Sequence, residues 1–116
     1  MERGDIVFVD LPQAKGSAGR EQIGKRPALI VHEDATINSF SVIMIVPFTS
    51  QLSARRFAYT ILVQPSATNG LSVPSALLIF QLRAIDKQRL ANKIGQLETD
   101  VMKKVDSELK KLLGLQ

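Results

Sequence analysis

Pro27-Ala28-Leu29-Ile30-Val31-His32 and, beyond a polar turn, Phe40-Ser41-Val42-Ile43-Met44-Ile45-Val46 are the two stretches that decide the fold. Both are short and nearly unbroken in apolar, often β-branched side chains, which predicts strands at residues 27–32 and 40–46. Such strands are either buried on both faces or paired at a subunit interface. The segment between them, Glu33-Asp34-Ala35-Thr36-Ile37-Asn38-Ser39, reads as their turn, and His32 as a strand-end residue rather than a proton shuttle.

Working outward, Ile6-Val7-Phe8-Val9, bounded by Asp5 and by Asp10-Leu11-Pro12, is a first strand. Residues 13–24 form a loop rich in glycine, serine and charge, long enough in so small a domain to point to function. Residues 57–63 predict a fourth strand. Residues 64–70 are a turn cluster in which Asn69-Gly70 supplies a positive φ, and residues 77–85 give one or two further strands around Gln81. The tail changes period. Thr99 is placed as helix N-cap and Asp100 in the first turn; Val101, Val105, Leu109 and Leu112 follow at helical spacing, and Gly114 is the stop. The expected architecture is mainly β with a C-terminal α-helix, a small, strongly curved antiparallel sheet in one domain over residues 1–116.

Composition narrows the class. At 116 residues, with 45% hydrophobic and 22% charged residues, the chain is an ordinary globule with one modest core. Its N-terminus enters a strand without the apolar run of a signal peptide, and no stretch reaches the length of a membrane span. Zero cysteines remove disulfides and thiolate metal sites, and the expected location is the cytoplasm. The net charge of +4 matters through its placement: residues 35–85 hold Arg55, Arg56 and Arg83 and no acid, and Lys15, Arg20, Lys25 and Arg26 face Glu21 alone across the long loop.

The excess cations flank two strand ends. Lys25-Arg26 stands at the mouth of the second strand, and the third runs into Pro47-Phe48-Thr49-Ser50. A planar guanidinium beside a short, stiff hydroxyl donor suits a phosphate. Other chemistries lack their parts. His32 is the single histidine; Asp5 and Asp10 lie at opposite ends and on opposite faces of one strand; no glycine-rich phosphate loop or serine-nucleophile elbow occurs. RNA permits what remains, because its own 2′-hydroxyl attacks the adjacent phosphorus and the protein need only align it and stabilise charge. Arg26 would stabilise that charge and Thr49 would bond a non-bridging oxygen. Gln22, Ser50, Gln51 and Gln81 offer amide or hydroxyl groups to base edges. Lys25, Arg55 and Arg56 suit backbone tracking, and Glu21 an orienting role. Phe8 and Phe48 are read as core.

Four blocks carry a family resemblance: Gly4-Asp5-Ile6-Val7-Phe8-Val9-Asp10, Glu21-Gln22-x-Gly24-x-Arg26-Pro27-Ala28, Val46-Pro47-Phe48-Thr49-Ser50-Gln51 and Gln81-Leu82-Arg83-Ala84-Ile85-Asp86-Lys87-x-Arg89-Leu90. In this order they resemble the MazF/PemK toxins. The resemblance implies an SH3-like, CcdB/PemK-type antiparallel β-barrel acting as a homodimer. It implies a metal-independent, cofactor-free, sequence-specific endoribonuclease of single-stranded mRNA that leaves a 2′,3′-cyclic phosphate and a 5′-hydroxyl and is neutralised by a cognate antitoxin. It implies Arg26 and Thr49 as the catalytic pair. The alternatives are a gyrase-poison toxin of the same fold and a non-catalytic nucleic-acid-binding module. Three departures bear on cleavage sequence and antitoxin contacts: a loop a few residues longer before Glu21-Gln22, Phe8 where relatives often carry tryptophan, and Phe80 where an acid often precedes Gln81.

Overall fold

In a computed structural model, which describes residues 1–11 and 24–116, the described residues form seven strands and one α-helix. The strands are β1 (Asp5–Leu11), β2 (Gly24–Ile30), β3 (Val42–Thr49), β4 (Thr60–Val63), β5 (Ser75–Leu78), β6 (Arg83–Asp86) and β7 (Leu90–Gln96), and the helix is α1 (Thr99–Leu112). Pairing runs β4-β5-β3-β2-β1-β7, with β6 also against β3, and every pairing is antiparallel. The sheet curls like a barrel. The small antiparallel, barrel-like sheet with a C-terminal helix is the expected one, and among the described residues it is not closed, since β4 and β7 end the path.

Both apolar stretches form the middle of the sheet, buried on both faces within a single chain. Leu29 pairs with Val46 and faces one cluster, with Ile6, Phe48, Leu77, Ile79 and Val105 of the helix. Ile30 pairs with Ile45 and faces the other, with Val7, Val9, Leu11, Ile43, Ile85 and Ile37 from the turn before β3. At roughly 1.5–3 kcal/mol per buried side chain of this size, these positions dominate the stability.

The boundaries moved for identifiable reasons. β2 stops at Ile30 because the next rungs are partly side chain: Val31 N–H donates to Met44 O at 3.1 Å, and Met44 N–H donates to His32 Nδ1 at 3.2 Å. That bond requires an unprotonated Nδ1, so Nε2–H donates to Thr36 Oγ1 at 3.0 Å. His32 is thus a buried strand-end pin, as its position suggests. β3 continues through Pro47 to Thr49. Proline has no N–H for a partner, and Pro47 sits where β3 changes neighbour from β6, which takes Val42 to Ile45, to β5, which takes Phe48 and Thr49.

Residues 57–59 turn before β4 begins at Thr60. β7 has no counterpart in the sequence reading; its Leu-Ala-Asn-Lys-Ile-Gly-Gln is half polar, as suits an edge strand. Thr99 is the first helical residue rather than the cap. Glu98 holds the cap position with no side-chain cap bond, its carboxylate being taken by Ser66 and Asn69. Gly114 does end the helix, at φ +70°, while Leu115 N–H returns to Lys110 O at 2.7 Å. No described helix is long and apolar enough to cross a membrane.

Candidate active site

Arg26 and Thr49 are brought together by strand register. Ala28 faces Pro47 at the last rung of the β2–β3 ladder, and Arg26 and Thr49 each lie two residues beyond that rung, on β2 and β3 respectively. There the strands part, and a cavity of about 220 Å³ opens between their ends. Arg26 and Lys25 line it from β2, Thr49 and Ser50 from the end of β3, and Leu71, Ser72, Val73 and Ser75 from the approach to β5. Phe8 and Phe48 complete it.

Among the described residues the lining has cations and hydroxyls and no carboxylate. Two larger hollows, of about 330 and 430 Å³, are lined by Glu2 and Asp5 and by Asp10 and Asp86 respectively. Carboxylates repel a phosphate, so charge rather than volume selects the smaller cavity.

Thr49 is buried, and Gln51 N–H donates to its Oγ1 at 3.1 Å. With that acceptor site filled from the backbone, the hydroxyl proton is available as a donor to an anionic oxygen. Arg26 is half-buried and adds a fixed positive charge. Together they can bind two oxygens of one phosphoryl group.

The loop forming the far wall is braced from behind. Buried Asn69 accepts from Ser66 N–H and Leu71 N–H, both at 3.0 Å, and donates to Gln64 O at 2.9 Å and to the Glu98 carboxylate. Ser66 Oγ–H donates to Glu98 Oε2 at 2.6 Å; this bond is the main reason the Glu98 carboxyl sits below its ordinary value. Gly70, at φ +71°, lies so close to β7 that an added Cβ would fall 1.9 Å from Ile94 O. These contacts fix the start of the wall, at Leu71, against β7 and the N-terminal end of the helix.

Against the sequence reading, Lys25, Arg26, Thr49 and Ser50 converge on the cavity, and Gln51 joins through its backbone. Arg55 and Arg56 lie outside it, exposed on a 3₁₀ turn over Leu52–Arg56, and Gln81 ends another over Ile79–Gln81. Glu21 and Gln22 lie outside the described residues. Phe48 is core, but Phe8 is 36% exposed on the cavity rim, which corrects its assignment. The Leu71–Ser75 wall was not foreseen, because only the β3–β5 pairing of Thr49 with Ala76 brings it there.

A profile of the PemK-like, MazF-like toxins of type II toxin–antitoxin systems matches residues 2–113. The chain belongs to this family. It is 37% identical over 116 residues to endoribonuclease EndoA of Bacillus subtilis (strain 168), covering 99% of this chain and 96% of EndoA. The crystal structure of MazF from Deinococcus radiodurans superposes with a TM-score of 0.80 at 28% identity, covering 99% of this chain and 97% of the other. A MazE–MazF structure from the same organism superposes at 0.73, with 27% identity and 100% and 97% coverage. The family's toxin fold and the cavity thus come from independent observations.

Proposed function

We propose that this chain is a metal-independent, sequence-specific endoribonuclease toxin acting on single-stranded mRNA. The observation that carries this is the convergence of Arg26 and Thr49 on one cavity whose described lining holds cations and hydroxyls but no carboxylate. The ribose 2′-oxygen attacks the neighbouring phosphorus and the P–O5′ bond breaks. The products are a 2′,3′-cyclic phosphate and a 5′-hydroxyl; the 2′ proton passes to solvent and the leaving 5′-oxygen takes one up. Arg26 and Thr49 donate to the non-bridging oxygens, whose charge grows in the transition state. A guanidinium keeps its proton, so Arg26 serves as a donor and charge, not as a base. Glu21 and Gln22, with Ser50, Gln51 and Gln81, supply base contacts, and Lys25, Arg55 and Arg56 supply phosphate contacts.

The functional unit is a homodimer in the cytoplasm, consistent with exposed Phe40 and Val42 at the start of β3. Its activity is held in check by a cognate antitoxin, as the MazE–MazF pairing of its structural relative suggests. The test is purified protein with long single-stranded RNA in excess EDTA, with cut sites and end groups mapped beside Arg26→Ala and Thr49→Ala. Cleavage at one short motif with cyclic-phosphate ends, lost in both variants, is the expected result. Intact RNA with well-folded wild-type protein would overturn the reading.

A further inference from the structure

Seven residues after Ser50 the chain presents an exposed aromatic step that the cleavage chemistry does not use. Phe57 is 42% exposed, its ring centroid lies 5.5 Å from that of Phe80 at 57°, and the Arg56 guanidinium carbon sits 4.7 Å above the Phe57 ring. Exposed aromatics usually collapse; this pair is held in place. Tyr59 adopts φ +61°, a conformation that a bulky side chain rarely takes. The bend it makes lets Tyr59 O accept Ile79 N–H at 2.9 Å, while Thr60 Oγ1 donates to Phe57 O at 3.1 Å. The first bond ties the residue 57–59 turn to the residue 79–81 turn and the second closes the former on itself, ring beside ring.

The step is joined to the cavity by a short rigid path. Gln51 N–H bonds Thr49, Ala54 N–H bonds Gln51 O and Phe57 N–H bonds Ala54 O, each at 3.1 Å. At roughly 2 Å rise per residue, the 3₁₀ turn carries Phe57 on the order of 10 Å from Gln51. Arg55 and Arg56 lie along this path, within a stretch, residues 35–85, that contains no acid.

We propose that Phe57 and Phe80 form a stacking shelf for one unpaired nucleobase of the RNA whose backbone passes the cavity. The base lies on the Phe57 face now covered by Arg56, and the guanidinium exchanges its ring contact for that nucleotide's phosphate. Every base has a π-face, so the shelf fixes where the strand lies, and the Phe80 edge with neighbouring Gln81 adds selectivity. An acidic peptide is the competing occupant; the aromatic face and the cation lying over it favour a nucleotide, whose base and phosphate engage both.

The inference rests on the ribonuclease reading, and the experiment separates the two. Wild-type cleavage of long RNA gives the cut site. Short RNAs spanning it, with 2-aminopurine placed at each flanking position in turn, are then bound to full-length Thr49→Ala. One position should be quenched. The quench should vanish on adding Phe57→Leu, which keeps apolar bulk, and survive Phe57→Tyr, with affinity falling about tenfold in the Leu variant. Cleavage by wild type together with quenching and affinity unchanged by Phe57→Leu overturns the shelf alone. So does a Phe57→Leu defect confined to antitoxin binding. Absence of wild-type cleavage overturns the ribonuclease reading, and the shelf with it.

Discussion

Replacing Thr49 by valine separates chemistry from folding more cleanly than removing the side chain. Valine keeps the β-branched shape at a position only 3% exposed and takes away one hydroxyl. Two structural consequences oppose each other. Gln51 N–H loses its acceptor at 3.1 Å, but Gln51 is exposed and water can replace it, so the cost is about 0.5–1.5 kcal/mol. The added methyl is buried, which returns about 0.8 kcal/mol. Net stability should stay within about 1 kcal/mol of wild type. In the proposed mechanism catalysis has no such compensation, because the lost O–H donor would act where negative charge grows. Losing one preorganised donor of this kind costs about 10²–10³ in rate, or roughly 3–4 kcal/mol. Single-turnover cleavage in EDTA, beside urea denaturation of the same preparations, reads both quantities. Thr49→Ser, which restores the donor without the methyl, should recover most of the rate. The reasoning fails if Thr49→Val cleaves within about threefold of wild type, or if its rate loss merely tracks a loss of folded protein.

Three further perturbations test the scaffold around the site. Burial tends to raise the Asp5 carboxyl, but the Glu2 N–H, the Gln96 amide and the Lys93 ammonium outweigh it and hold it below its ordinary value. A lowered folded value stabilises above the unfolded carboxylate range and is lost as pH falls through it; urea midpoints between pH 7 and pH 2.5 should therefore drop more for wild type than for Asp5→Asn, and parallel curves would contradict the assignment. Gly70→Ala meets both φ +71° and a backbone oxygen 1.9 Å from the new Cβ, so it should cost about 3 kcal/mol or more and weaken cleavage through the cavity wall; a midpoint shift under about 1 kcal/mol would refute this. His32→Leu removes the acceptor of Met44 N–H and should cost about 1–3 kcal/mol by denaturation, with substrate cleavage per folded molecule also reduced; full stability would show that the imidazole is not a pin.

What could be read from the sequence was whatever local chemistry dictates. Continuous apolar runs marked β2 and β3, and the prolines beside them marked the ends where Arg26 and Thr49 stand. Helical spacing marked α1, although its first residue depends on Glu98 being engaged by Ser66 and Asn69, a contact some thirty residues distant in sequence. β7 stayed hidden because an edge strand needs no apolar alternation: its Lys93 reaches the buried Asp5 and its Gly95 admits the backbone at Asn69. Phe8 shows a subtler limit. It shares a face with Ile6, which is wholly buried, yet stands 36% exposed. Alternation tells which face a residue takes but not where along the strand the core ends.

That Arg26 and Thr49 meet at one cavity raises the question of what sets the register of β2 and β3. A slip of one residue between β2 and β3 would put Phe48 or Ser50 opposite Arg26 and dissolve the phosphate site. In a sheet with one wet face, hydrophobicity would forbid that slip by turning the core side outward. Here both faces of β2 and β3 are apolar, with Leu29 in one cluster and Ala28 and Ile30 in the other, so burial alone discriminates weakly. Features that cannot slide must do it. Pro47 fits only where β3 changes neighbour, and His32 accepts from Met44 N–H while Val31 donates to Met44 O, a rung made partly of side chain. These two pins lie at opposite ends of the β2–β3 pairing, and Arg26 and Thr49 lie just beyond one of them. The proposed active pair is thus positioned by residues outside the described cavity lining, and it is by disturbing those pins that distant substitutions should reach the chemistry.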